Sequence, residues 1–321
     1  MTLDEKVGQL FWARVPYYNQ VEDLQTYHLG GYVLFGKDFE GQTLESIKEL
    51  TESYQSVSKI PLLIGSDEEG GVVTRISALL DFPFQSPMAL YQNGGINAVT
   101  SDVELKAELL KSVGINAGLF PVADISFDPN SFIYSRTIGE DVGETCHYIK
   151  QVVQVLDKVH FGSTLKLFPG YGENGDTHNS IIQDNRSLDD LRKIDFKPFE
   201  AGIKAGSDSI LVSHNILTEI DNVPSSISPK INRILRKDLH FNKVIMSDDL
   251  DMAGLADFVN QEEAAYQVIT AGNDLILSSS YQIQIPYLLE KIASGEISEN
   301  RIDESVKRIL SWKYDLGLLK K

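Results

Sequence analysis

Cysteine is all but missing from this chain. Cys146 is the only one, which excludes an intrachain disulfide framework and any multi-cysteine metal site. Long apolar runs are missing as well. No stretch of about 18 or more apolar residues occurs, so membrane insertion is not expected. Basic charge is scarce: 29 Lys and Arg stand against 46 Asp and Glu, a net charge of −17. A surface of that sign repels nucleic acid and other phosphate-rich partners. Its plainer consequence is solubility. The N-terminus, MTLDEKVGQLFW, lacks a basic segment followed by an apolar one and a small-residue cleavage site, and the expectation from it is a cytoplasmic chain. No HExxH, EF-hand or Cys-rich zinc pattern is present, so neither metal nor cofactor is expected.

What the chain does have is length and apolar content: 321 residues, 42% of them hydrophobic. That suits one (β/α)₈ barrel of ~250 residues plus insertions. Eight short apolar runs lie at 8–13, 30–35, 61–66, 115–122, 162–168, 207–213, 243–247 and 273–278. Most lack clean alternation, as strands buried on both faces do. Helical stretches separate them. Ser101 with Glu104 reads as a capping box. Ser228 before Pro229 reads as an N-cap with Pro at the first helical position. Ser187 precedes an apolar stripe at Leu188, Leu191 and Ile194. Over 298–314, Ile302, Val306, Ile309 and Leu310 share one face. Strand and helix in alternation predict a parallel sheet with right-handed crossovers. Eight such units predict a single-domain α/β TIM barrel over residues 1–321. Polar residues cluster where the strands end: Asp67, Asp124, Lys166, His214, Asp248 and Ser278. A barrel collects those ends on one face, where active sites form. Any one of them alone is as well explained by a turn or a helix cap.

Three segments carry chemistry. In LKLFPGYGENGDTH (165–178) a strand delivers Lys166, and a Gly-rich loop then ends in Asp176-Thr177-His178. An Asp two residues from a His can reach its ring, fix the tautomer and raise its basicity, leaving the ring to pass a proton. A surface loop with an Asx-turn at Asp176 would look the same. Gly170 to Gly175 also satisfies G-x-G-x-x-G, but no helix pattern opens within it, as a dinucleotide site requires. In KVIMSDDLDM (243–252) a strand delivers Asp248 and Asp249. One faces the barrel mouth and the other caps a helix expected at 250–255, or both are caps. A carboxylate here could attack an anomeric carbon. In PLLIGSDEEGGVVTRI (61–76), Asp67 and Arg75 suit a hydroxyl-rich ligand, the carboxylate accepting and the guanidinium donating. They equally suit a structural ion pair.

Taken in order, these segments resemble glycoside hydrolase family 3, in its NagZ-like β-N-acetylglucosaminidase branch. The resemblance runs from LDEKVGQLF to VKRILSWKYDLGLL, through GGYVLFGKD, PVADIS, SRTIGED, FKPFEAGIKAGSDSILVSHN and AGNDLIL. It implies Asp248 as the nucleophile of a covalent glycosyl–enzyme, and Asp176 with His178 as an acid/base dyad on a mobile loop. It places Asp67, Arg75, Arg136, Lys166, His214 and Met252 where the family binds the sugar or supports its pocket. The implied reaction is hydrolysis of terminal β-linked N-acetylglucosamine, with retention, from muropeptide or chitin-type oligosaccharides. The implied partner is a small carbohydrate, met by a monomer. The chain departs from the pattern at Leu167 and Tyr171, where the family usually has histidines, and at Val72 or its neighbour, where arginine is common. The 172–176 stretch is one residue short. These changes bear on one sugar-hydroxyl contact and on the leaving group.

Three other readings stay open on the sequence alone. Lys166 could form a Schiff base, as barrel aldolases do. The fold could bind sugar without turnover. Phosphate could replace water, since a histidine acid/base avoids repelling an anionic acceptor.

Overall fold

The computed structural model describes residues 1–319. The last two residues of the expected domain lie outside that range. A strand forms in each of the eight apolar runs, within the run in seven and ending one residue beyond it in β1: β1 Phe11–Arg14, β2 Gly31–Leu34, β3 Leu63–Ser66, β4 Ala117–Gly118 and β5 Thr164–Phe168 come first. The short pair β6 Gln183–Asp184 and β8 Ile216–Leu217 was not foreseen. β7 Ser209–Val212, β9 Val244–Ser247 and β10 Ile276–Ser278 complete the set, so the eighth run is occupied as well. In the eight expected strands every residue but Arg14 is buried, which is why their sequences do not alternate.

Every strand pairing is parallel. β10-β1-β2-β3-β4 make a five-stranded sheet and β5-β7-β9 a three-stranded one, with β6-β8 a separate ribbon. Parallel bridges, Ala117 to Gly162 and Val122 to Lys166 at one edge and Met246 to Leu275 at the other, link the two larger sheets. The fold is therefore α/β with parallel sheets, as the alternation of elements predicted. Inside it, the Trp12 indole donates to the carbonyls of Tyr32 (3.0 Å) and Leu63 (3.1 Å). Gly65 makes room for that ring: a Cβ there would sit 2.1 Å from it.

Helix starts were read with mixed success. Ser228 and Ser187 cap as expected, their hydroxyls accepting from Ile231 N–H and Asp190 N–H at 3.2 Å. Ser101 does not cap. It lies inside a helix over Pro87–Ser112, kinked at Gly95, whose cap is Ser86. Pro87 at the first turn marks the true start. Ile194 falls just past its helix and is 41% exposed, off the stripe assigned to it. The C-terminal helix Glu299–Asp315 buries Ile302, Val306 and Ile309 as read. No helix among the described residues is long and apolar enough to cross a membrane.

That C-terminal helix also buries a charge-bearing group. Lys313 is fully enclosed, and its ammonium nitrogen donates to Gln9 Oε1 at 2.7 Å. Burial pulls its pKa down to about 7 from an ordinary 10.5. A folded value below the unfolded one means that stability is lost as pH falls from about 10.5 to about 7, and is level below that. At one unit per ~1.4 kcal/mol the full penalty is on the order of 5 kcal/mol. Lys313→Met removes it and leaves Gln9 short of one hydrogen bond, at about 1–3 kcal/mol. The variant should melt a few degrees higher at pH 7 and show little gain at pH 10. Calorimetry at the two pH values checks this, and an equal shift at both would rule out the buried ammonium as the cause.

Candidate active site

The loop after β3 brings a carboxylate that the sequence reading passed over. Glu69 is buried, and its two oxygens accept from Arg136 Nε (2.9 Å) and Nη2 (2.8 Å) in a fork, with Lys166 Nζ at 2.7 Å. Burial pushes its pKa up, but Arg136 and Lys166 more than offset this and hold it well below the usual carboxylate range. Lys166 also donates to Asp67 Oδ1 at 3.0 Å, and Arg75 Nη2 stands 3.5 Å from Asp67 Oδ2. Arg75, Asp67, Lys166, Glu69 and Arg136 thus form one line of alternating charge. Burial lowers the pKa of Lys166, yet the carboxylates of Asp67 and Glu69 prevail and raise it. An amine held as ammonium is a poor Schiff-base nucleophile, so this geometry disfavours the aldolase alternative.

All of that line except Glu69 faces a cavity of about 270 Å³. Asp67, Arg75, Arg136, Lys166, His178, Asp248 and Met252 all line it, brought together by β3, β4, β5 and β9 and the loops that follow them. Arg14, Phe35, Asp249 and Leu277 line it too, and the Arg75 guanidinium lies 5.7 Å from the centroid of the Phe35 ring. Leu167, the first departure from the family pattern, lines the cavity as well.

Asp248 follows β9 directly. Its N–H donates to Val212 O of β7 at 2.8 Å, which fixes the backbone at the strand end, and its Oδ1 accepts from Asp249 N–H at 2.9 Å. Asp249 turns the other way, into an ion pair with Arg14, and also accepts from Asp251 N–H at 3.1 Å. Burial pushes Asp249 up to about 6, with Arg14 pulling against it. The helix expected at 250–255 is shorter, Ala253–Ala256. Arg14 was missed, though a lone arginine ending an otherwise apolar strand is a signal. Its guanidinium lies 4.5 Å from the centroid of the Phe35 ring.

Two expected residues stand outside the cavity lining. Asp176 Oδ1 lies 2.5 Å from His178 Nδ1 and also accepts His178 N–H at 2.9 Å. The dyad and the Asx-turn are therefore the same feature. An ionised carboxylate only accepts, so Nδ1 carries the proton and Nε2 is left to exchange one. His214, expected at the sugar, is fully buried behind the site. Its Nε2 donates to Asp249 O at 2.8 Å, and its Nδ1 accepts from Ser226 Oγ at 2.7 Å. Burial lowers its pKa, which favours the neutral ring these bonds require. His214 holds the backbone of the aspartate pair; it does not face the cavity.

The loop carrying the dyad, expected to be mobile, is tied at several points. Tyr171 N–H and Gly172 N–H donate to buried Asp124, and Glu173 accepts from Ser126 Oγ (2.8 Å) and Phe127 N–H (2.6 Å). Arg186 donates to Gly170 O at 2.7 Å, and Thr177 O accepts Gly254 N–H at 2.9 Å. Gly172 has φ +56° and a Cβ there would meet Arg186 at 2.5 Å, so only glycine fits. Tyr171, the second departure, is a buried anchor. Its hydroxyl bonds Thr177 and its ring packs edge-on against Phe132 at 4.9 Å. Beyond Thr177 the side chain of His178 is 56% exposed.

A carboxylate and a carboxylate-backed imidazole facing one polar cavity are the parts needed to break a glycosidic bond, and known proteins define the class as glycoside hydrolase. The model of the glycosyl hydrolase family 3 N terminal domain matches residues 2–312. A beta-hexosaminidase of Xanthomonas campestris pv. campestris is 32% identical over 263 residues, covering 79% of this chain and 78% of its own. The structure of a glycoside hydrolase family 3 beta-N-acetylglucosaminidase from Paenibacillus sp. str. FPU-7 matches with a TM-score of 0.92 at 28% identity, over 99% of this chain and 63% of that one. A beta-N-acetylglucosaminidase/beta-glucosidase of Cellulomonas fimi is 28% identical over 98% of this chain and 58% of its own. The chain spans less than two thirds of those last two proteins. It belongs to glycoside hydrolase family 3.

Proposed function

We propose that the chain is a retaining exo-β-N-acetylglucosaminidase, releasing terminal β-linked N-acetylglucosamine from muropeptide or chitin-type oligosaccharides. The observation that carries the reading is that Asp248 and His178, far apart in sequence, line one cavity, with Asp176 2.5 Å from the imidazole. The names of the relatives at 32% and 28% identity support the substrate class. We read the two linked parallel sheets as one closed (β/α)₈ barrel. The bridges at both edges support that reading, and it puts the cavity at the C-terminal ends of the strands.

In the first step Asp248 attacks the anomeric carbon while His178 Nε2 protonates the departing oxygen. Asp176 stabilises the imidazolium before transfer and holds the ring in place. In the second step water attacks the anomeric carbon and gives a proton to the neutral imidazole, and the bond to Asp248 breaks to free the carboxylate. Positive charge develops at the anomeric carbon, and Asp248 meets it. Asp67, Arg75, Arg136 and Lys166 hold the ring hydroxyls with donors and acceptors whose directions are set by their mutual ion pairs. The site is complete within one chain, which supports action as a monomer.

A panel of β-linked sugars with and without the 2-acetamido group tests the proposal. Cleavage of the acetamido sugar at least 10-fold faster than of its 2-hydroxy counterpart is the expected result. Binding without release of either would leave a sugar-binding barrel instead.

A further inference from the structure

We propose that Tyr17 and Tyr18 form a leaving-group subsite, a stacking platform for the neutral sugar on the far side of the scissile bond. The platform makes the enzyme select oligosaccharides over simple glycosides. The inference rests on the exo-hydrolase reading above and adds the residues that hold the departing part.

Tyr17 and Tyr18 are 77% and 84% exposed. Single exposed apolar side chains are ordinary. These two are adjacent, and they follow Arg14, whose side chain lines the cavity. Three residues of chain span at most about 11 Å, so Tyr17 lies within that distance of Arg14, outside the cavity lining itself. Its ring is also held. Lys37 Nζ lies 4.7 Å from the ring centroid. That ammonium is fixed by Val15 O and Asp38 Oδ1, each at 2.7 Å. Asp38 Oδ2 in turn accepts the N–H of Phe35, another cavity residue, at 2.8 Å. A continuous set of contacts therefore runs from the cavity wall to the tyrosine. One face of Tyr17 is set by the cation and most of the ring is left to solvent, which pre-organises it for a flat apolar surface.

The strand order decides which part of the substrate arrives there. With the bridges at both edges, β1 and β5 stand on opposite sides of the sheet circuit. The loop after β5 carries His178, whose proton goes to the leaving oxygen. The leaving group therefore emerges beside His178 and faces the loop after β1. Charge decides the ligand class. Lys37 is neutralised by Asp38, so the platform offers ring area and hydroxyl contacts, suited to an uncharged sugar and not to an anionic peptide.

The test compares two substrates: N-acetylglucosaminyl β-azide, whose leaving group has no ring to stack, and the β-1,4-linked N-acetylglucosamine trisaccharide. For Tyr17→Ala/Tyr18→Ala the expected result is a ~10-fold loss of kcat/KM on the trisaccharide, mostly as a raised KM. The azide should be cleaved at the wild-type rate. Tyr17→Trp should retain trisaccharide activity. Equal losses on both substrates, or no loss on either, would overturn the subsite. Should wild type prefer sugars without the acetamido group, glucosyl β-azide and cellotriose give the same comparison. In that case the acetylglucosaminidase reading fails while the subsite is judged separately.

Discussion

Asp248→Ala should lower turnover of every β-N-acetylglucosaminide by roughly 10⁴-fold or more, with the fold intact. The size follows from the role. Without a carboxylate no covalent intermediate forms, and water must attack unaided a carbon that the site is built to deliver to Asp248. The intact fold follows from the surroundings. Among the described residues the side chain accepts one hydrogen bond, from the adjacent Asp249 N–H, and no cation pairs with it. Its backbone bond to Val212 survives the substitution. Retention adds a sharper readout. Azide ion can enter the space left by the carboxylate and attack from the same face, giving the α-glycosyl azide and restoring turnover in the variant alone. Residual activity within about 10-fold of wild type, with no azide product, would remove Asp248 from the reaction.

The strands were legible because a sheet covered on both faces needs uninterrupted apolar residues, and the chain has eight such runs. Asp248 and Asp67 were legible because each directly follows one of them, and Lys166 because it is the one charged residue inside its run, in the middle of β5. Glu69 and Arg14 were not, for different physical reasons. Glu69 sits in an acidic turn, Asp67-Glu68-Glu69, and sequence spacing gives no way to tell which carboxylate turns inward. Only the tertiary approach of Arg136 and Lys166 picks it out. Glu68 takes another task, accepting from Ser77 Oγ at 2.5 Å and from the Arg75 N–H. Arg14 is meaningful only beside Asp249, which lies at the other end of the chain. His214 shows the converse limit. Its position after β7 was read correctly, but whether such a side chain points at the ligand or supports its neighbour depends on one rotamer. Tyr171 was read as a change at the substrate, whereas its ring turned inward to lock the loop.

His178→Ala should have an effect that depends on the leaving group. On oligosaccharides the loss should be on the order of 10²–10⁴-fold, the usual worth of a positioned acid. On an aryl glycoside with a good leaving group, bond breaking needs little protonation, so the first step should be nearly unimpaired. The second step still lacks its base. Glycosyl–enzyme should therefore accumulate on Asp248, seen as a burst of phenol release followed by slow turnover, with kcat and KM falling together. Azide ion needs no base and should speed that second step in the variant more than in wild type. Asp176→Asn should repeat the pattern at smaller size, because His178 keeps its place on the loop but loses the carboxylate 2.5 Å away that stabilises its protonated form. The loop itself should remain, since its anchors at Asp124, Glu173 and Arg186 do not involve the dyad. Equal losses on good and poor leaving groups, without a burst, would mean that the proton comes from another group, and the cavity would then need a different acid.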